Sequence, residues 1–301
     1  MIAIIILYII CALTFTISKA ALATAAPLFF MGVRMIFAGV VLLGYMMIKN
    51  IIVHKSIGKI IWADWLLFLQ IILFHIYLPF SCDLNALRYL TSTQSSVLYN
   101  LTPFITALLS YWWFKERMTS KKWLGLALGF SAFLPGVICD IMRGCFFKHV
   151  GPQLLTIGAV ACSAYGWVLM RRLVKKKNYS PLTVNGMGMF FGGILALLTS
   201  GIFESWSPSP VVDMKAFIYL TLLIVFVANI IFYNFYSFLL KKYTATFLSF
   251  AGFLCPLFTA LFGMIFLSEC IDWTVFFAMG LVCVGLYIFY EEELHQGYIL
   301  K

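Results

Sequence analysis

Arg34 is the residue that points most directly to chemistry, because it lies inside an otherwise apolar stretch from 27 to 48. A guanidinium within a lipid-embedded helix costs at least about 2.5 kcal/mol to insert, so it needs a counter-group or a water-filled cavity. Its N–H donors match the two oxygens of a carboxylate, so Arg34 is predicted to bind an anionic group of a substrate. The alternative is a structural role, with Arg34 holding helix-end carbonyls or extending to the membrane surface.

Uncharged polar side chains inside apolar stretches form a second group of candidate binding residues. Asn229 and Tyr233 are four residues apart and would share one face of a helix, and Asn234 follows them. Such groups can hydrogen-bond a polar ligand, although bonds between neighbouring helices are the alternative. Tyr99 and Asn100 precede Pro103, which frees a backbone carbonyl; Pro103 and Pro256 are therefore predicted helix breaks.

A cationic sulfonium or ammonium group would require aromatic ring faces, because no carboxylate is predicted within the apolar stretches. Phe15, Tyr165 and Trp167 are the candidates for this contact, although most aromatic residues in such a chain pack or lie at the membrane surface. Lys19, close to the end of the first apolar stretch, either extends to the membrane surface or attracts anionic groups toward a cavity.

Several classes of chemistry have no counterpart in the sequence. It contains no glycine-rich phosphate loop, no HExxH and no cysteine pair at metal-ligand spacing. No catalytic residue, metal or cofactor is therefore predicted. Two classes of function besides the binding of a small polar ligand remain open: an intramembrane enzyme, which would need a cluster of acids, histidines or nucleophiles, and a membrane assembly partner, which would need a large loop or tail.

These candidate residues must be positioned by membrane-spanning helices. The chain of 301 residues is 63% hydrophobic and 11% charged, and its mean hydropathy is +1.00. A water-soluble core cannot bury that much apolar surface, so the lipid bilayer is the predicted partner. The first stretch lacks a basic leader and is predicted to be a retained helix. Ten stretches reach spanning length: 2–19, 27–48, 61–80, 91–113, 122–138, 153–170, 181–203, 215–239, 244–267 and 273–290.

The charges of the connectors predict an orientation. Most of the 21 lysines and arginines fall on one side when connectors are assigned alternately to the two membrane faces. Basic loops are typical of the cytoplasmic face, so both termini are predicted to be cytoplasmic and Asp83 to face outward. The net charge of +10 thus reflects membrane topology, and no nucleic-acid partner is predicted.

The chain also repeats itself. The segment from 87 to 116 matches the segment 153 residues later, and the segment from 27 to 43 matches the one 154 residues later, with Pro27/Pro181, Gly32/Gly186 and Gly39/Gly193 among the pairs. Five spans per copy is an odd number, so the second copy must lie inverted in the membrane. The predicted organisation is a first repeat at 1–138, an outer connector at 139–152, a second repeat at 153–290 and a cytoplasmic tail at 291–301.

The segments at 86–93, around Pro103, at 115–119 and at 123–138 resemble one half of the EamA-type carriers of the drug/metabolite transporter superfamily. That resemblance implies an all-α membrane protein of ten transmembrane helices in two inverted five-helix repeats, located in a bacterial inner membrane. It also implies secondary transport of a small metabolite by alternating access. Within the family, the chain is similar to the S-adenosylmethionine carriers of obligate intracellular bacteria, which implies exchange for S-adenosylhomocysteine; amino acids or related metabolites are the alternative substrates.

Overall fold

The computed structural model describes residues 2–52, 64–90, 92–132, 134, 138, 150–207, 209–267 and 274–298. In these ranges the chain is helical, and its only extended pairing is an isolated bridge between Ala25 and Val211. Helices are expected here because lipid cannot hydrogen-bond the backbone, so each segment must satisfy its own N–H and C=O groups. The prediction of an all-α membrane protein is therefore confirmed at the level of fold class.

The helices are labelled in chain order, each label covering one continuous or briefly interrupted rod. They are α1 (Ile2–Ala21), α2 (Pro27–Ile52), α3 (Trp65–Leu87), α4 (Ser92–Leu98, Tyr99–Leu101 and Thr102–Phe114), α5 (Ser120–Ser131), α6 (Val150–Lys176), α7 (Pro181–Phe203), α8 (Met214–Leu239), α9 (Ala245–Ala251 and Leu254–Leu267) and α10 (Thr274–His295).

In the described residues, α1, α2, α3, α6, α7, α8 and most of α9 are long and apolar enough to cross a membrane. Seven candidate spans are fewer than the ten that the sequence predicts. The count of ten therefore stays a prediction, and most of the predicted outer connector at 139–152 lies outside the described residues.

Several helix starts follow local capping chemistry. Asp213 accepts hydrogen bonds from the N–H groups of Lys215 and Ala216 at the start of α8, at 3.0 and 3.1 Å. Thr119 and Thr244 cap α5 and α9 through their side-chain oxygens. These side chains satisfy N–H groups that a helix leaves without an internal partner.

Close approach of α2 and α7 depends on glycine. A Cβ atom added to Gly39 would lie 2.6 Å from the backbone nitrogen of Phe190, and one added to Gly193 would lie 2.7 Å from that of Ile36. The two backbones therefore touch, as is common where small residues line a helix interface in a membrane. On another side of the bundle, α5 meets α10 in the same way at Gly125 and Gly285.

The remaining long helices surround a central space. α1 packs against α8 and α9, while α6 packs against α3 and α4. Both α3 and α8 contain a π-helical segment, at Ile71–Tyr77 and Val225–Phe232. Such segments shift the side chains that follow them and are frequent at functional sites.

α4 and α9 are both interrupted shortly before a proline. In α4 the turn Tyr99–Leu101 precedes Pro103, which is the second residue of the next helical segment. The Tyr99 carbonyl, which a proline at 103 cannot bond, accepts a hydrogen bond from the Thr102 hydroxyl at 2.5 Å. In α9 the interruption falls between Ala251 and Leu254, two residues before Pro256.

Candidate functional site

A cavity lies at the centre of the bundle, where α1, α2, α3, α4, α6, α8 and α9 converge. The cavity has a volume of about 130 Å³, measured as the space open to the centres of water molecules. The volume that a ligand could fill is larger. Its walls are mostly apolar and aromatic, with a few polar groups, which is the usual composition of a small-molecule site. Five of the predicted binding residues line it: Phe15, Arg34, Tyr99, Trp167 and Tyr233.

Arg34 reaches the cavity from the second turn of α2 and is only 1% exposed. Its Cζ atom lies 5.0 Å from the centre of the Phe30 ring and 4.7 Å from that of Phe80. These ring faces partly compensate the positive charge. However, Nε and Nη2 have no hydrogen-bond partner among the described residues. They form the edge of the guanidinium that carries two parallel N–H groups, which is the arrangement that binds a carboxylate in bidentate fashion.

Asp83, which is not among the predicted binding residues, also lines the cavity. Its side chain is buried, and Oδ1 accepts a hydrogen bond from the Ser95 hydroxyl at 2.9 Å. The predicted span ended at 80 and left Asp83 in an outer connector, but α3 continues to Leu87. Asp83 therefore lies inside the helix, and the expectation that no carboxylate occurs within the apolar stretches is wrong. A hydropathy window cannot detect the Ser95 hydrogen bond and the cavity that accommodate this carboxylate within the helix.

Aromatic side chains form much of the cavity wall. Trp167 of α6 stacks on Tyr236 of α8 with ring centres 3.8 Å apart, and its ring centre lies 5.1 Å from that of Tyr233. Phe15 and Tyr99 meet edge to face at 5.5 Å. The cavity thus offers ring faces, which suit a planar or cationic group, together with charged groups.

The other predicted binding residues are engaged elsewhere. The Lys19 ammonium donates to the carbonyl oxygens of Leu87 and Leu90, at the end of α3. The Tyr165 hydroxyl donates to Gln70 at 3.2 Å. Neither side chain lines the cavity, and each connects two helices instead.

The three asparagines also lie outside the cavity lining. The Asn229 amide group faces the sulfur atoms of Met35 and Met189, at 3.0 and 3.7 Å. Asn234 donates to backbone carbonyls of its own helix and accepts from Asn185 of α7 at 2.9 Å. Asn100 is buried, with both side-chain polar atoms unpaired among the described residues. Sequence spacing placed Asn229 and Tyr233 on one face of an α-helix, but only Tyr233 lines the cavity, because Asn229 lies within the π-helical segment Val225–Phe232, whose periodicity differs.

Charged groups at one end of the bundle are arranged differently from those of the cavity. Arg171 forms a buried ion pair with Glu116, and Lys122 forms one with Glu293 at 2.9 Å. The Thr244 hydroxyl also contacts both Glu293 carboxylate oxygens, at 2.9 and 2.7 Å. We refer to Glu116, Lys122, Arg171 and Glu293 as the ion-paired end. Thr119, and not Glu116, caps α5.

In the described part of the chain, no group of three histidine, cysteine or acidic side chains could hold a metal ion. Cys11 and Cys255 are neighbours in the cavity wall, with their sulfur atoms 3.5 Å apart, and both are free thiols. His75 lies behind the aromatic wall, with its ring centre 4.4 Å from that of Trp167. It is 1% exposed and packs among rings rather than lining the cavity.

Comparison with known proteins places this architecture in a family. The profile of the EamA-like transporter family matches residues 1–134 and 152–290. A protein of Chlamydia trachomatis serovar L2 described as an S-adenosylmethionine/S-adenosylhomocysteine transporter is 34% identical over 95% of this chain and 88% of its own length. A protein of Chlamydia muridarum with the same description is 33% identical over 96% of this chain and 90% of its own length.

A solved crystal structure that shares 15% sequence identity superposes with a TM-score of 0.72 and covers 95% of this chain and 94% of the other, so the fold has an experimental counterpart. The matches extend over nearly the whole chain and agree with the apolar helices and the buried central cavity. They confirm the predicted class of protein, a multi-pass transporter of the bacterial inner membrane and not an enzyme. The chain belongs to the EamA-like transporter family.

Proposed function

We propose that this protein carries S-adenosylmethionine across the cytoplasmic membrane and exchanges it for S-adenosylhomocysteine. The observation that carries the proposal is the 34% identity, over 95% of the chain, to a protein described as a transporter of these two compounds. The cavity chemistry supports the same conclusion. Both compounds combine a purine ring, which suits an aromatic wall, with a carboxylate, which suits the unpaired edge of Arg34.

We propose direct contact with the substrate for Arg34, Phe15, Tyr99, Trp167 and Tyr233. The carboxylate of the substrate binds Arg34, while the purine and the sulfonium lie against the rings. Four other predicted residues act indirectly, by holding the helices that form the cavity: Lys19, Tyr165, Asn229 and Asn234. Asn100 lies at the interruption of α4, where its amide has no hydrogen-bond partner among the described residues.

We also propose that the chain spans the membrane ten times as two inverted five-helix repeats, at 1–138 and 153–290, with both termini and the tail at 291–301 in the cytoplasm. Matching irregularities support this arrangement. The π-helical segments begin at Ile71 and Val225, which are 154 residues apart. The interruptions of α4 and α9 lie before Pro103 and Pro256, which are 153 residues apart.

Alternating access follows from this arrangement. Glu116 bonds to Arg171 and Lys122 to Glu293 away from solvent, and we propose that these ion pairs close this end in the present conformation. Opening toward the cytoplasm would separate α4 from α6 and α5 from α10, and the two inverted halves would exchange conformations. Pro103 and Pro256, at the interruptions of α4 and α9, are the proposed hinges.

Counterflow in proteoliposomes tests the function directly. Vesicles loaded with S-adenosylmethionine should take up labelled S-adenosylmethionine from outside, and external S-adenosylhomocysteine should compete. Empty vesicles and vesicles without protein are the controls. Uptake that is unaffected by S-adenosylhomocysteine but inhibited by free amino acids would favour the alternative substrates, and the absence of any counterflow would refute the proposal.

A further inference from the structure

We propose that Asp83 binds the α-ammonium group of the substrate, so that Arg34 and Asp83 together recognise a zwitterionic amino-acid end. This inference rests on the proposed function, which it deepens by assigning a role to a carboxylate of the cavity wall. It predicts that two opposite charges recognise the amino-acid end, and that the aromatic rings of the cavity contact the sulfonium.

The first argument is placement. Arg34 on α2 and Asp83 on α3 line the same cavity, so a ligand can contact both. The carboxylate and ammonium groups of an α-amino acid are attached to a single carbon atom, so their two protein partners must also be neighbours. The helices α2 and α3 pack against each other, so Arg34 and Asp83 stand on adjacent helices. A site with Arg34 alone would leave the ligand ammonium without a counter-charge.

The second argument is that both groups are available. No ion pair joins Arg34 to Asp83 in the described part of the chain, whereas Lys122 and Glu293 are in direct contact at 2.9 Å. The Ser95 hydroxyl donates to Oδ1 of Asp83 and fixes the orientation of the carboxylate. A carboxylate has about four acceptor positions, so a single hydroxyl leaves room for an ammonium that donates up to three hydrogen bonds.

The third argument concerns which cation Asp83 recognises. S-adenosylmethionine and S-adenosylhomocysteine share the ammonium, but only the first carries a sulfonium. A carrier that exchanges the two must bind both, so its strongest charged contacts should address the shared groups. The ring faces of Trp167, Tyr233 and Tyr236 can accommodate a cationic or a neutral sulfur, because they present no formal charge.

The variant Asp83→Asn tests this assignment, because it removes the charge, keeps the shape and still accepts the hydrogen bond from Ser95. In the counterflow assay we expect the half-saturating concentration of S-adenosylmethionine and the inhibitory concentration of S-adenosylhomocysteine to rise together, by about 10-fold to 100-fold. Inhibition by 5′-methylthioadenosine, which lacks the amino-acid end, should not change. Asp213→Asn is the matched control, since this exposed side chain caps α8 and asparagine caps equally well.

Three outcomes would overturn the assignment. A loss of affinity for S-adenosylmethionine alone would mean that Asp83 recognises the sulfonium. Unchanged affinities for both compounds would leave Asp83 without a binding role. Unchanged affinities with lost uphill accumulation would make Asp83 a site for a coupling ion.

Failure of the proposed function is distinguishable from failure of this inference. If the unaltered protein shows no counterflow of S-adenosylmethionine, the substrate is wrong, and the two-charge site is then tested by thermal stability in detergent. Stabilisation by zwitterionic amino acids but not by the corresponding amines, lost in Asp83→Asn, supports the site. Equal stabilisation of the unaltered protein and the variant refutes it.

Discussion

Among the described residues, the buried charges of the ion-paired end and those of the cavity differ, because only the former are joined in ion pairs. At the ion-paired end, Lys122 lies 2.9 Å from Glu293, and Arg171 contacts Glu116. In the cavity, Arg34 is equally buried, yet Nε and Nη2 have no partner in the described residues, and Asp83 bonds only to an uncharged hydroxyl there. An unpaired buried charge is unfavourable in the resting protein. The contrast indicates that charges at the ion-paired end hold helices together, while those of the cavity serve a ligand.

The largest effect is expected from removing the unpaired cation. Arg34→Ala should reduce transport by at least about 100-fold, because a bidentate, desolvated charge contact is lost. Thermal stability in detergent should stay the same or rise, since the variant also removes a buried charge that lacks a partner. Transport and melting temperature are measured on the same preparation.

Arg88→Ala is the control for this variant, because Arg88 is exposed and lies outside the cavity lining. Transport by this control should match that of the unaltered protein. Near-normal transport by Arg34→Ala, or unfolding of that variant, would remove the distinction between the two regions.

A loss of stability is expected where the charges are paired. Lys122→Met leaves Glu293 buried without its cation and should lower the free energy of unfolding by about 3–5 kcal/mol. The double variant Lys122→Met with Glu293→Gln should recover most of that loss, because no charge remains and Thr244 keeps an acceptor. Denaturation in mixed micelles measures the free energy of unfolding of the single and the double variant.

Lys121→Met is the matched control, because its pair with Glu292 is long, at 3.8 Å, and Lys121 is 70% exposed. We expect a change of less than about 1 kcal/mol for this surface pair. If Lys121→Met and Lys122→Met destabilised the protein equally, burial would not explain the role of the ion-paired end.

The smallest effect is expected at Lys19. It lies in the same predicted repeat as Arg34, but its ammonium donates hydrogen bonds to carbonyl groups at the end of α3. Lys19→Gln should lower stability by about 0.3–1 kcal/mol, as for other cations at helix C-termini. The half-saturating substrate concentration in the counterflow assay should stay near that of the unaltered protein. A large increase would show that Lys19 contacts the substrate.

Much of the site could be predicted from residue type and position. Arg34 stands out because a charge in an apolar stretch is rare. Phe15 and Trp167 follow from the need for ring faces around a cationic group, and Tyr99 and Tyr233 follow from polar groups inside apolar stretches that could hydrogen-bond a ligand. The same reasoning did not separate these residues from Tyr165 and Asn229, since residue type does not tell which helix a side chain faces.

Sequence alone determined that this chain is a helical membrane transporter with an arginine in its interior. Hydropathy and loop charge reflect the free energy of transferring each segment from water to lipid. That free energy depends on the composition of the segment itself. Tertiary structure decided that Asp83 belongs to the cavity, that Glu116 bonds to Arg171, and that Asn229 faces methionine sulfur. Those outcomes depend on which helix faces meet, because pairing between buried polar groups is set by distances across the bundle and not by spacing along the chain.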